Sequence, residues 1–343
     1  MSELRQDPVS GEWVIVAPER GKRPETMKPV KSERRPTPRE DCPFCDLEHT
    51  GNWPPIFSFP EDATNGNWKE VVLPNKYPAL VHNQPGCSPI VAEGPYKHMQ
   101  GLGYHDLVIT RDHVTPFADL PHTDAMRVMF ALQKRFKQLH LDKCIHYTSA
   151  FQNWGASVGA SQYHPHYQIL SLPVIPPAVK ESFEACRKHM AKTGKCLHCS
   201  LMKYELKKRK TIIDKNDGAV VFAPYASWRP FQMRVMPRRH FAFFEETPEK
   251  DVAAVVSMLQ SALKRLRKYV GDPDFNFYLH TGPMTNARSR YASYHWHFDI
   301  IPNASAPIGG FELGTGIKII TVMPELTAQV MTGKVRLGTE KTK

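Results

Sequence analysis

Two halves of the chain present the same succession of segments, and this duplication constrains the fold more than any single motif does. The first half runs CPFC (42–45), VVLPNKYPAL (71–80), HDLVITRDHVTPFADL (105–120), TDAMRVMFALQKRFKQLHL (123–141), YTSAFQNWG (147–155) and HPHYQILSL (164–172). The second runs CLHC (196–199), AVVFAPYASWRP (219–230), FQMRVMPRRHFAFFEE (231–246), EKDVAAVVSMLQSALKRLRKYV (249–270), FNFYLHTG (275–282) and HWHFDIIP (295–302). A repeat in one order predicts one supersecondary plan built twice. In each half apolar residues recur at helical spacing, Met126, Met129, Phe130, Leu132 and Phe136 in one and Val252, Val255, Val256, Leu259, Leu263 and Leu266 in the other. They predict an amphipathic helix in each. Thr123 with Asp124, and Thr247 with Pro248 and Glu249, are the expected helix starts. The β-branched and aromatic runs around them read as antiparallel strands. The expected class is α+β, with residues 1–172 as one half, 173–195 as a proline-rich and then helical connector, and 196–343 as the second half.

Four of the seven cysteines fall in two Cys-x-x-Cys pairs. In a reducing compartment such pairs are more often metal ligands than disulfides. Structural zinc takes four sulfur or nitrogen ligands in a tetrahedron. Each half supplies two histidines at matching places: His113 and His164 after Cys42 and Cys45, then His240 and His295 after Cys196 and Cys199, with His198, His280 or His297 as alternatives in the second set. Their separations are similar, 51 positions (164 − 113) and 55 (295 − 240). The expected cofactor is therefore structural Zn2+, one or two ions per chain.

The stretch NWGASVGASQYHPHYQ (153–168) adds chemistry to this frame. On a strand, side chains two apart share a face, so His164, His166 and Gln168 are expected to point together. With His164 committed to metal, His166 is held beside it but unligated. An ordinary imidazole titrates near 6.5, so its neutral form is available as a nucleophile or general base. The turn from Gly155 to Ser161 is expected to aim backbone N–H groups and the Ser157 and Ser161 hydroxyls at an anion, and the Pro165 carbonyl to accept from the His166 ring.

These segments resemble the galactose-1-phosphate uridylyltransferase family, the nucleotidyl-transferring branch of the histidine-triad superfamily. The resemblance spans nearly the whole chain. It is carried by DPVSGEWVIVAPERGKRP (7–24), CPFC, LPNKYPAL (73–80), FQNWGASVGASQYHPHYQ (151–168), RPFQMRVMPRRHFAFFEE (229–246) and FELGTG (311–316). It implies two histidine-triad-like halves and a ping-pong transfer in which His166 takes the uridylyl group of UDP-glucose, expels glucose 1-phosphate and passes the group to galactose 1-phosphate. It further implies that Gln168 and Ser161 hold the phosphoryl oxygens, that Arg20 and Arg23 contact phosphate, and that Asn75, Asn153 and Gly159 contact the nucleotide. Phe311 and Glu312 would serve substrate from the C-terminal region, across the interface of a homodimer. Tyr167 stands where the family usually has glycine, and Lys76 where the best-known members have an acidic residue. The tail ASAPIGGFELGTGIKIITVMPE (304–325) is more similar to thermophilic and archaeal-type members and to ADP-glucose phosphorylase. The alternative is therefore adenylyl transfer, of the ADP-glucose phosphorylase or adenylylsulfate:phosphate adenylyltransferase type.

The net charge of +11 suits an anionic partner, whether nucleic acid or a phosphorylated small molecule. Clusters such as KYELKKRK (203–210) read as solvated helix faces. A two-zinc nucleic-acid-binding module is the distant alternative. It requires basic residues interleaved with exposed aromatics, a pattern the chain scarcely shows, and it gives Gly159, His166 and Gln168 no task. With no apolar run of about 18 residues and no leader pattern, a cytoplasmic protein without a membrane partner is expected.

Overall fold

The computed structural model describes residues 1–22, 34–64, 66–285, 287–304 and 308–337; Arg23 lies outside the described residues. The N-terminal half contributes β1 (Glu3–Gln6), β2 (Trp13–Val16), β3 (Phe57–Phe59), β4 (Glu70–Pro74), the hairpin β5 (Val91–Glu93) and β6 (Tyr96–His98), β7 (Tyr104–Thr110), α1 (His122–Leu139), β8 (Tyr147–Trp154) and β9 (His166–Leu172). Helix α2 (Pro177–Thr193) leads into α3 (Leu197–Lys208). There follow β10 (Ile212–Lys215), β11 (Ala219–Phe222), β12 (Met233–Pro237), α4 (Glu249–Val270), β13 (Phe275–His280), β14 (His297–Pro302), α5 (Gly310–Thr315), β15 (Lys318–Ile320) and α6 (Pro324–Met331).

Ten strands form one antiparallel sheet in the order β10-β11-β12-β14-β13-β8-β9-β7-β4-β3. From the centre outward each half repeats one sequence of strands: β8, β9, β7, β4, β3 on one side and β13, β14, β12, β11, β10 on the other. The duplication is thus fused by main-chain bonds at a single seam, where Phe275 faces Trp154 and Tyr278 faces Phe151. A small second sheet, β1-β2-β15, joins the two chain ends, with Arg5 paired to Glu325 at 3.1 Å.

The predicted amphipathic helices exist, and both begin behind a proline. Helix α1 starts at His122 after Pro121, one residue before the expected Thr123, and α4 starts at Glu249 after Pro248. The fixed φ of proline suits a helix entrance, which explains why neither start has a side-chain cap. Val252, Val255, Val256, Leu259, Leu263 and Leu266 are all at most 3% exposed. Each such side chain contributes about 1.5–3 kcal/mol by leaving water. One buried glutamine per helix then ties that helix to the opposite half. Gln133 donates to the carbonyls of Phe244 (2.8 Å) and Thr247 (3.0 Å), and Gln260 to those of Phe117 (3.0 Å) and Leu120 (2.8 Å).

Tyr167 turns inward against Phe117 and Phe277, with ring centroids 5.9 and 6.1 Å away, on the face of β9 opposite His166 and Gln168. The exchange of glycine for tyrosine therefore alters the core rather than the site face. Cys87 and Cys144, outside every motif, are joined by a disulfide that pins the β5–β6 region to the residues ahead of β8. No described helix is long and apolar enough to cross a membrane.

Candidate active site and metal centres

The first Cys-x-x-Cys turn is brought to the loop after β7 and to the entrance of β9. Cys45 Sγ lies 3.1 Å from His113 Nδ1, Cys42 Sγ lies 3.4 Å from His164 Nδ1, and the two Nδ1 atoms are 3.3 Å apart. All four donor atoms fall within 4.8 Å of one another. The far nitrogens decide the tautomer: His113 Nε2 donates to the Thr37 carbonyl and His164 Nε2 to that of Thr110, both at 2.7 Å. Each Nδ1 therefore turns a lone pair toward the sulfurs, as ligation requires. Burial, with the adjacent Cys45 thiol adding to it, pushes the Cys42 thiol up to about 11, and burial takes His164 down to about 4. One buried and one half-buried thiol facing unprotonated nitrogens form a donor set that a divalent cation fits.

The second set has the same plan with a looser enclosure. Cys199 Sγ lies 3.3 Å from His295 Nδ1 and 3.6 Å from His240 Nδ1, and Cys196 completes the four donors within 4.8 Å. His240 Nε2 donates to the Ala292 carbonyl at 2.8 Å. His295 Nε2 faces the Pro237 carbonyl without completing a hydrogen bond. Cys196 is driven toward thiolate, first by the neighbouring Cys199 thiol and then by the two histidines. His113 is 7% exposed, whereas His240 is an exposed residue; a cavity of about 470 Å³, lined in part by Lys195, Cys199, Lys203 and His240, opens onto this second set.

His166 belongs to neither set. Its Nδ1 donates to the His164 carbonyl at 2.8 Å, so Nε2 of the neutral ring carries the lone pair. The acceptor is the carbonyl of His164, in place of the expected one at Pro165, because the ring folds back one residue further along the chain. Phe44, inside the CPFC turn, meets both rings, at 5.7 Å from His164 and 5.4 Å from His166. The metal-binding turn thus also walls the free imidazole. His166 is 6% exposed, burial lowers its pKa, and among the described residues no side chain bonds its Nε2. Gln168 Oε1 is held at 3.0 Å by His105 Nε2, which also lies 3.2 Å from Asn75 Nδ2. His105 was absent from the expected site, although it lies on β7 two residues from Leu107, the residue opposite Gln168.

The glycine turn has a different anchor from the expected one. Ser157 donates through its N–H (3.1 Å) and Oγ (2.6 Å) to Asp274 Oδ2 of the C-terminal half, and its Oγ accepts from Asn303 Nδ2 at 2.9 Å. Its hydroxyl is therefore spent on fixing the turn, and is not aimed at an anion. Arg34 meets the other Asp274 oxygen at 3.2 Å. Gly155 has φ +104, and a Cβ there would come within 1.9 Å of Asp274 Oδ1, so glycine is required. Asn153 donates to the Gly159 carbonyl at 3.3 Å and accepts from Asn276 at 2.8 Å. Asn75 thus lies beside the His105–Gln168 pair, while Asn153 and Gly159 bond one another within the turn that leads into β9. Arg20, Ser161 and Phe311 are exposed. Glu312 is half-buried and its charge acts on Arg229. Among the described residues none of these four bonds the His166 cluster.

The chain is similar to known proteins over nearly its whole length. Residues 1–176 match the N-terminal domain of galactose-1-phosphate uridyl transferase and residues 181–335 match its C-terminal domain. ADP-glucose phosphorylase of Arabidopsis thaliana is 35% identical over 331 residues, covering 96% of this chain and 92% of that protein. Galactose-1-phosphate uridylyltransferase of Thermotoga maritima is 26% identical over 340 residues, covering 96% and 97%. Among solved structures, an Arabidopsis ADP-glucose phosphorylase with bound ADP-glucose superposes with a TM-score of 0.82 at 32% identity, over 98% of this chain and all of that one. A uridylyltransferase superposes with a TM-score of 0.73 at 27% identity, over 97% of this chain and 98% of that one. The chain is a nucleotidyltransferase that belongs to the galactose-1-phosphate uridyl transferase family.

Proposed function

We propose that the chain transfers a nucleotidyl group from a nucleotide sugar through a covalent intermediate on His166, in a reaction of the ADP-glucose phosphorylase type. The observation that carries this is the division of labour within His164-Pro165-His166. His164 turns Nδ1 into the cysteine pair while its carbonyl takes the Nδ1–H of His166, which leaves Nε2 of the second ring basic and aimed. Nε2 attacks the α-phosphorus, and the bond to glucose 1-phosphate breaks with its electron pair on the leaving oxygen. Inorganic phosphate then attacks the same phosphorus, the P–N bond returns its pair to the imidazole, and ADP leaves. Splitting one displacement into two makes each easier.

Gln168 donates to the non-bridging oxygens, where charge is handled without moving water. Ser161, Arg20 and Arg23 take the phosphates, Asn75, Asn153 and Gly159 the nucleotide, and Phe311 and Glu312 reach the leaving group from the partner in a homodimer. Zinc would be held by Cys42, Cys45, His113 and His164, and a second ion by Cys196, Cys199, His240 and His295; with four protein ligands it supplies rigidity rather than an open coordination position.

The resemblance in the sequence alone points to UDP-glucose. The higher identity to an ADP-glucose phosphorylase, and the fit to a relative holding ADP-glucose, support the adenylyl alternative instead. Uridylyl transfer to galactose 1-phosphate is the second reading, favoured by the family description and by a relative matched along 97% of its length. The test is incubation with ADP-glucose or UDP-glucose, each radiolabelled in its nucleotidyl phosphate, without acceptor. Label from ADP-glucose, stable on denatured protein in alkali and lost in acid, is expected. Label from UDP-glucose alone establishes the second reading, and label from neither rejects both.

A further inference from the structure

We infer that His105 is the positioning residue that sets which end of the Gln168 amide faces the transferred phosphoryl group. The inference rests on the covalent-transfer reading above. A glutamine amide is nearly isosteric under a half-turn, but its two ends are chemical opposites: NH2 donates to a phosphoryl oxygen, and C=O repels it. Something has to choose the orientation before substrate arrives, or part of the population meets the anion with the wrong end.

The choice can be followed bond by bond. Ala79 N–H donates to His105 Nδ1 at 3.1 Å, which makes Nδ1 the acceptor and puts the hydrogen of the neutral ring on Nε2. Nε2–H then donates to Gln168 Oε1 at 3.0 Å. Rotating the Gln168 amide would set NH2 against N–H, so its carbonyl stays on the His105 side and its NH2 is turned away. Asn75 is fixed by the same stretch of backbone. Tyr77 N–H donates to Asn75 Oδ1 at 2.9 Å, leaving Asn75 NH2 at 3.2 Å from an Nε2 whose hydrogen is already committed to Gln168. That NH2 cannot donate to His105 and is kept for an acceptor atom of the substrate. The segment Asn75–Ala79 thereby orients two side-chain amides, that of Asn75 directly through Tyr77 N–H and that of Gln168 through the His105 imidazole. His105 reaches Gln168 along the diagonal of the β7–β9 pair, since Leu107 is directly opposite Gln168 and His105 opposite Leu170.

The experiment measures the single-turnover rate of His166 labelling from ADP-glucose, nucleotide-sugar affinity and metal content in His105→Phe, His105→Gln, His105→Asn, Gln168→Ala and the double variant His105→Phe/Gln168→Ala. The rate in His105→Phe is expected to fall about 10- to 100-fold with affinity changed less than about threefold, because the Gln168 contact tightens as charge develops. Glutamine at 105 can place an N–H where Nε2–H was and should recover most of the rate. Asparagine can accept from Ala79 but is too short to reach Gln168, and should not. In the Gln168→Ala background, His105→Phe should cost no more than about twofold further. Independent, multiplicative losses in the double variant, or equal rescue by asparagine and glutamine, overturn the inference; should His105→Phe fail to fold, the glutamine–asparagine pair carries the same comparison. Wild-type protein that takes no label on His166 overturns the covalent-transfer reading itself, a result distinct from labelling with uncoupled losses.

Discussion

Strands β9 and β14 hold equivalent places in the two halves of the sheet, and both begin with an imidazole that bonds back to the carbonyl two residues earlier, at 2.8 Å for His166 and 3.0 Å for His297. In the same register Gln168 faces Phe151 and Leu107, while Asp299 faces Tyr278 and Arg234. The local chemistry then parts. Gln168 keeps N–H groups to give an anion, whereas Asp299 can only accept and is taken up by Arg234 in two bonds of 2.7 and 2.8 Å. His297 is 2% exposed, stacked on His280 at 4.7 Å and close to His198 at 4.9 Å. A carboxylate committed to Arg234 has no N–H to offer, so it cannot play the part proposed for Gln168. The duplicated scaffold therefore preserves the backbone cradle for an imidazole, and under the function proposed above the residue two places on sets the two halves apart.

The hardest blow to this contrast is a pair of substitutions at matched positions. His166→Gly should lower turnover by at least about 10^4-fold while metal content and folding persist. His297→Ala should leave turnover within about threefold and instead lower stability by about 1–3 kcal/mol through lost packing. Steady-state kinetics and thermal unfolding separate the two, and a folded His297→Ala protein without activity would break the division of roles. A subtler blow gives the first half the charge of the second. Gln168→Glu introduces a carboxylate without an Arg234 equivalent, and kcat should drop by about 10²–10³-fold. Retained activity would mean that the amide does not meet developing charge.

The metal sets sharpen the comparison at smaller magnitude. His164 Nε2 has its carbonyl partner and His295 Nε2 does not complete one, while His240 is exposed beside a cavity. Losing such an outer hydrogen bond typically weakens metal binding about 10- to 100-fold. Zinc-loaded protein titrated with a chelator should therefore release metal in two phases, and Cys199→Ser should abolish the early one while Cys42→Ser removes the late one. A single phase, or the reverse assignment, contradicts the inequality.

What the sequence disclosed follows the range over which each force acts. The helical faces around Val252–Leu266 and the alternation through His166 and Gln168 are local periodicities, so they were legible. The convergence of Cys42 and Cys45 with His113 and His164 was legible because the spacing recurs in the second half. The anchoring of Ser157 by Asp274, 117 residues away, has no local signature, since it arises only when β8 and β13 zip the halves together. The orientation of Gln168 by His105 was hidden for a similar reason, because a diagonal contact depends on the register of β7 against β9. The Cys87–Cys144 bridge lies outside the repeat altogether and left no mark in its pattern.

The smallest expected effect concerns stability alone, at another matched pair. Glu70 opens β4 opposite Thr110, and Ala219 opens β11 opposite Pro237. Both are buried, but only the first is ionisable. Glu70 is 2% exposed and paired with Arg127 at 2.6 Å, yet burial outweighs that pairing and raises its carboxyl to about 7. The unfolded carboxyl titrates near 4.5. Between those values the folded protein holds the extra proton, so this group's contribution is full below about pH 4.5 and is lost as pH rises through about 7. Glu70→Gln, neutral throughout, should remove that loss: its stability relative to the parent should improve by about 1–2 kcal/mol between pH 5 and pH 8 in denaturant unfolding, with labelling of His166 unchanged. A difference that stays flat across this range would mean that Arg127 keeps Glu70 ionised, and that the first half carries a buried ion pair where the second has only a methyl group.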